Sequence, residues 1–485
     1  MYPCPVDAVV LDAGGAPTDG PVTRAEPGAR FGTTARTRYL AVFAVLGLWS
    51  AALATVFWPG QGDPDTSSAL QDVASGHYLD WHAPMLEVLW RGLYLTGVHG
   101  RGPVLFASVF TLVTGFYLVL RVRFGQLRSC IGAVLCSVFP PVLGWEAHVG
   151  TDAWFAALLL AGFGCAARAA RITGRSRTVS LIAASVLGFL GLAARHNAFP
   201  AVVVLLAVVA ALWLPPAWRR RRVWAVGLGI GATVVMMGVQ AGILVAVDTR
   251  SMHAAQNTML YDLTTLSKRE GTMLLPKVAD PGQNLSLIVR GTTVEGDEQL
   301  IYAPGAPIRW PLEGADYRTL THSWESAILH HPYGYLSDRL QSGLQLLGVT
   351  HPEFWLFQEP GPDMAPKFPA LNRPALSYLS ATTQSGNNLY GSVLYDAWIY
   401  VLILAAASVV LWRRTRADRV LALLAAAVLV YTLVTIFAVP EMLYRYVYVD
   451  VVAGIVLLPV LWPRRKAAAP GHRIRGASDG DRSRG

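Results

Sequence analysis

The side chains in this sequence best suited to chemistry are acids gathered in two polar segments, the first of them in two parts. Gly62-Asp63-Pro64-Asp65-Thr66 and Leu79-Asp80-Trp81-His82-Ala83-Pro84 both fall between an apolar block that closes near residue 58 and another that opens near residue 103. A carboxylate at the edge of an apolar phase is partly desolvated, which raises its pKa and lets it take a proton from a hydroxyl. Asp65 is the first candidate for such a base, with Asp63 and Asp80 as alternates. Solvated loop acids beside an interfacial tryptophan are the plainer reading of the same residues. The second segment, Gly144-Trp145-Glu146-Ala147-His148-Val149-Gly150-Thr151-Asp152, sets Asp152 at the start of an apolar run, where an acid also suits a helix N-terminus. Two arginines complete the set. Arg195-His196-Asn197 lies in a short break between apolar blocks, and Pro440-Glu441-Met442-Leu443-Tyr444-Arg445-Tyr446 opens the last block. An arginine at such a border calls for an anionic partner, either a phosphate or one of the acids, unless it snorkels to water.

The elements that must position these residues follow from composition. Of 485 residues, 53% are apolar and only 15% charged, far fewer charges than the roughly one quarter of a soluble domain. The apolar residues gather in blocks long enough for helices that cross a bilayer. Ten spans are expected, at about 39–58, 103–120, 129–145, 153–168, 178–194, 198–214, 223–247, 394–412, 420–439 and 446–462. Basic clusters test that partition, since Lys and Arg in short loops stay in the cytoplasm. Arg36 and Arg38 precede the first span. Arg121 and Arg123 follow the second, Arg171 and Arg175 the fourth, Arg219 to Arg222 the sixth, Arg413 and Arg414 the eighth, and Arg464 and Arg465 the tenth. Every cluster then shares one side, which places both termini in the cytoplasm and the acidic segments outside. The same distribution accounts for the net charge of +9 and leaves nucleic-acid binding without a motif.

The expected organisation is a disordered cytoplasmic N-terminus over 1–38, seven spans over 39–247 with a first outer loop at 59–102, and an extracytoplasmic loop or subdomain over 248–393. Three spans over 394–462 and a disordered basic tail over 463–485 complete it. The segment 85–98 has an apolar helical stripe but is too short to span, and reads as a helix lying on the outer leaflet. None of the four cysteines falls in the large loop, so a disulfide framework there is excluded. The first 38 residues lack the apolar core of a cleaved signal peptide.

Taken together, the segments resemble the GT-C class of integral-membrane glycosyltransferases, of the kind of dolichyl-phosphate-mannose protein mannosyltransferases, in a bacterial branch. The resemblance rests on Asp65 in the first outer loop, on Asp80-Trp81-His82-Ala83-Pro84 where that class has a His-Pro-Pro element, on Asp152 at the fourth helix, on Arg195-His196-Asn197, and on Pro440 to Tyr446 before the last helix. Ala83 stands where the first proline of the element is usual, and Thr151 where a lysine is common. The resemblance implies a polyprenyl-phosphate-linked sugar as donor and a glycan, lipid or protein of the cell envelope as acceptor. It implies catalytic roles for Asp65, Asp63, Asp80 and Asp152, and substrate contacts from His82, Glu146, Arg195, His196, Asn197, Tyr444 and Arg445. A divalent cation between Asp65 and Asp152 is compatible with the residue types but not demanded by their spacing. A transporter or flippase of an amphiphilic envelope precursor, or a non-catalytic protein of the same fold, are the rival readings.

Overall fold

The computed structural model describes residues 33–62, 64–81, 83–215, 222–293, 296–350, 365–383 and 392–462. The expectations placed on 1–32 and on the tail from 463 lie outside them. The chain divides into two compact units, Met1–Ala44 and Val45–Gly485. Of the first, the opening part of a helix is described, with Thr37 to Leu40 exposed.

The described residues form helices and connecting turns, with no strand among them. The first half holds α1 (Thr33–Val56), α2 (Pro64–Ser75), α3 (Pro84–Leu95), α4 (Gly102–Leu120), α5 (Gln126–Ser137), α6 (Pro140–Glu146), α7 (Thr151–Ala169), α8 (Gly174–Ala194), α9 (Phe199–Trp213) and α10 (Arg222–Ala246). Next come α11 (Ala255–Glu270), α12 (Leu285–Gly291), α13 (Glu298–Ile301), α14 (Gly314–His330), α15 (Pro332–Leu346) and α16 (Pro369–Thr383). The chain closes with α17 (Ala397–Trp412), α18 (Arg416–Ala438) and α19 (Tyr448–Leu461).

Seven segments are long and apolar enough to cross a membrane: Thr37–Val56, Gly102–Leu120, Thr151–Ala169, Gly174–Ala194, Val223–Ala246, Arg416–Ala438 and Tyr444–Leu461. This is a helical membrane protein. The expected straight span at 129–145 is instead the pair α5 and α6, bent by 70°. The bend falls just before Pro140-Pro141, where a proline lacks the N–H that would continue the helix. The expected spans at 198–214 and 394–412 are α9 and α17, helices of 15 and 16 residues. At 1.5 Å per residue they reach only about 24 Å, short of roughly 30 Å of hydrocarbon.

Local chemistry sets several helix ends. Thr415 and Asp418 close a capping box on α18, the Thr415 hydroxyl accepting from the Asp418 N–H and the Asp418 carboxylate from the Thr415 N–H at 3.2 Å. Helix α7 is the centre of the bundle, packed by α4, α8, α9, α18 and α19. Its small residues allow that: Gly115 of α4 sits so close to α7 that a Cβ would stand 3.0 Å from the Ala161 nitrogen.

The arginines after the spans end up together. Arg171 donates to the Arg121 carbonyl at 2.5 Å, Arg123 to Trp462, Arg177 to Leu212, and Arg414 to Val460 at 2.9 Å and Leu461 at 2.5 Å. The C-terminal ends of α4, α9 and α19 therefore form an arginine-rich pole. The acids of the two polar segments lie at the opposite helix ends.

Residues 255–346 form a helical subdomain around their own apolar cluster, including Leu260, Leu263, Leu266, Ile288, Ile308, Leu312 and Leu320. Helix α3 lies as a 12-residue amphipathic helix with Met85, Glu87 and Trp90 buried and Leu89, Leu93 and Leu95 exposed.

Candidate active site

The two acidic segments are tied directly, through contacts between residues more than 80 apart in the chain. The Gln61 N–H donates to the Ala147 carbonyl at 2.9 Å, and the Val149 N–H returns to the Gln61 carbonyl at 3.0 Å. Thr66 adds a hydroxyl bond to the Val149 carbonyl at 3.1 Å. Gly60 makes the approach possible: its φ of +107° suits glycine, and a Cβ there would meet the Val149 side chain at 2.5 Å. This seam holds the start of α2, and with it Asp65, against the segment that opens α7.

From there the charged groups pair across the bundle. The Asp65 carboxylate accepts from Arg445 at 2.7 Å, and Glu441 stands 3.8 Å from the same guanidinium. The Asp152 carboxylate, buried in the first turn of α7, is ion-paired with Arg195. Arg195 sits on extended backbone between α8 and the 3-10 turn His196–Ala198 and donates from Nε to the Tyr431 hydroxyl at 3.1 Å. Tyr446 joins the two pairs: the Arg195 and Arg445 guanidinium carbons lie 4.9 Å and 5.0 Å from its ring centroid, and Arg445 donates to its hydroxyl at 3.1 Å. Two guanidiniums and three carboxyl groups thus share one cluster, partly open at Asp65 and closed at Asp152.

The remaining sequence candidates separate. Asn197 donates to the Thr435 hydroxyl at 3.4 Å, beside the cluster. Asp80 does different work, accepting from the Ser251 hydroxyl at 2.6 Å and from the Met252 N–H, while Leu79 forms a bridge with Arg250. It fastens the first polar segment to the start of the large loop. Glu146 is buried within the bundle and accepts from the Ser108 hydroxyl at 2.9 Å and the Tyr448 hydroxyl at 3.1 Å. Tyr444 is equally buried and donates to the Pro141 carbonyl at 3.0 Å, holding α6 in place. Asp63, His82 and the side chain of His196 lie outside the described residues.

Residues that the sequence did not single out also belong here. Tyr446 follows Arg445 in the chain and Glu441 stands four residues before it, so the sequence marks both only as neighbours of a candidate. Tyr431, in mid-helix, gives no local signal at all. Gln61 is buried, and neither polar atom of its side-chain amide has a hydrogen-bond partner. Such an amide is costly to leave unmade and is suited to a ligand hydroxyl. No group of three or more His, Cys, Asp or Glu is placed to hold a metal among the described residues.

Another buried carboxyl lies on α3, which packs against α2. Glu87 of α3 is buried with both oxygens unpartnered. Burial, reinforced by the Asp72 carboxylate, pushes its pKa up to about 8, so it is neutral at pH 7.

No protein-family model matches the chain, and neither does a curated protein or a solved structure.

Proposed function

We propose that this chain is an integral-membrane glycosyltransferase of GT-C type that moves a sugar from a polyprenyl-phosphate donor to a cell-envelope glycan, lipid or protein. In this reading α9, α17 and the bent pair α5 and α6 join the seven longer helices as ten spans. The arginine-rich pole and both termini are cytoplasmic, and the acidic cluster and the 248–393 segment face outward. The observation that carries the reading is the pair of acid–arginine contacts, Asp65 with Arg445 and Asp152 with Arg195, meeting on Tyr446.

The geometry suggests an order of events. A carboxylate paired with arginine is a weak base, because the guanidinium stabilises its charged form. A donor phosphate arriving at Arg445 competes for that guanidinium and releases Asp65. The freed carboxylate accepts the proton of the acceptor hydroxyl as its oxygen attacks the anomeric carbon. The bond from that carbon to the phosphate oxygen breaks on the opposite face, and the electron pair leaves with the lipid phosphate, so the configuration inverts. Arg445 and Arg195 stabilise the growing negative charge. Asp152 keeps Arg195 aimed at the cluster. Basicity is thus unmasked only when donor is present, which protects the site against idle hydrolysis.

Purified protein in proteoliposomes with radiolabelled polyprenyl-phosphate sugars and envelope acceptor provides the test: wild type transfers label, and Asp65→Asn does not. A transporter of an amphiphilic precursor is the second reading, favoured by Glu146 and Asp450, two carboxyl groups buried inside the bundle. Translocation of label without transfer, unaffected by Asp65→Asn, establishes that reading instead.

A further inference from the structure

Helix α15 is polar on the inside and apolar on the outside. Its buried side carries Arg339, Ser342 and Gln345 beside Gly334, Gly343 and Leu346. There Arg339 pairs with Asp262 at 2.7 Å and donates to the Val439 carbonyl at 2.7 Å. Its exposed side carries Tyr333, Leu336, Leu340 and Leu344, and Leu329 at the end of α14 is exposed just before it. Positions spaced by three and four residues make one stripe along a helix. The exposed positions of α15 outside that stripe are Pro332 and Gln341. A helix in water turns its charged and polar residues outward. One that turns its arginine inward and its leucines outward has an apolar medium beside it.

The surroundings say which medium. Gly343 lets α15 close on the membrane helix α18, where a Cβ would stand 2.9 Å from the Ile436 side chain. Arg339 also reaches the Ile436 carbonyl at 3.4 Å, so α15 lies level with the last turn of α18. Leu433 and Phe437 in that same part of α18 are exposed on a helix long and apolar enough to span. At its other end, the Leu347 carbonyl accepts from the Trp398 N–H of α17 at 2.9 Å, and Trp398 and Leu402 are exposed there. The stripe therefore continues the apolar outer surface of two bundle helices. Unlike the equally short α9, α15 is not apolar throughout: Asp338 and Arg339 stand in mid-helix, so at about 22 Å it does not cross.

We propose that α15 lies in the plane of the membrane, its leucine stripe among the acyl chains of the leaflet at the acidic pole and Tyr333 at headgroup level. The large loop segment is then no freestanding aqueous domain: the polar side of α15 faces inward and its apolar edge rests in lipid. This placement stands whichever reaction the acidic cluster performs.

Single cysteines at Leu336, Leu340 and Glu325, the last an exposed position of α14, test it in a chain whose four native cysteines are replaced by alanine. Each is labelled with an environment-sensitive fluorophore in phosphatidylcholine–phosphatidylglycerol vesicles. Labels at 336 and 340 are expected to emit to the blue of the label at 325, to be quenched by chain-brominated phosphatidylcholine and to ignore aqueous iodide, with the reverse at 325. Iodide quenching at 336 and 340 overturns the proposal, because the stripe then faces water. Shielding of both positions from both quenchers overturns it too, because protein, such as a second copy of the chain, then covers the stripe. Should the cysteine-free chain misfold, Leu336→Asp with Leu340→Asp in the native background separates lipid from water equally well: vesicle-reconstituted protein loses thermal stability if the stripe lies in lipid and keeps it if the stripe lies in water.

Discussion

Replacing Asp65 by Asn separates the chemical role of this carboxylate from its structural one. The Asp65 side chain is 39% exposed and that of Arg445 18%, so water screens the pair and its loss costs at most about 1 kcal/mol. Arg445 is not stranded by the change, since Glu441 remains at 3.8 Å and the Tyr446 ring at 5.0 Å. Loss of a general base, in contrast, slows a reaction by roughly 10²–10⁴, or about 3–5 kcal/mol of barrier. The variant should therefore melt within a few degrees of wild type by circular dichroism while its initial rate of label transfer falls by at least two decades. Asp65→Glu, which restores a carboxylate on a longer stem, should recover part of the rate. Wild-type turnover in a folded Asp65→Asn protein would refute the reasoning. So would a loss of fold in proportion to the loss of rate, because the carboxylate would then be a strut.

Asp152→Asn is expected to behave in the opposite manner: its pair with Arg195 is 5% and 13% exposed, so removing one charge should cost about 3–5 kcal/mol and lower the melting temperature, with Arg195→Gln added in the same chain restoring much of it. Glu87, neutral in the fold up to about pH 8 and ionised in the unfolded chain above its ordinary 4.5, should make stability fall as pH rises between those values and level off above 8. The slope is at most about 1.4 kcal/mol per pH unit, and denaturation curves of Glu87→Gln across pH 5–9 should lack that component. Arg339→Met should leave Asp262 buried without its partner, costing about 3–5 kcal/mol and exposing the 255–346 helices to limited proteolysis before the bundle itself melts.

The membrane class and the positions of the long helices were legible in the chain because they depend on local composition: a block of apolar residues crosses lipid wherever its neighbours lie. Arginines recur at the ends of alternate blocks, and hydrogen bonds such as Arg171 to Arg121 and Arg414 to Val460 hold several of them against neighbouring helix ends. Charge in an apolar setting left Arg195 three outcomes, a phosphate, an acid or water, and the packing sets it against Asp152. Which acid takes which arginine was decided by tertiary structure alone, because Asp65 and Arg445 are 380 residues apart and no spacing encodes their meeting. The separation of Asp80 and Glu146 from the cluster came the same way, as each found nearer hydroxyl and amide donors. So did the reversed face of α15, whose leucines look like a core stripe in sequence until the buried Asp262 on another helix claims Arg339 and turns them outward. Periodicity reports which residues share a face, but only the packing of distant segments decides what that face meets.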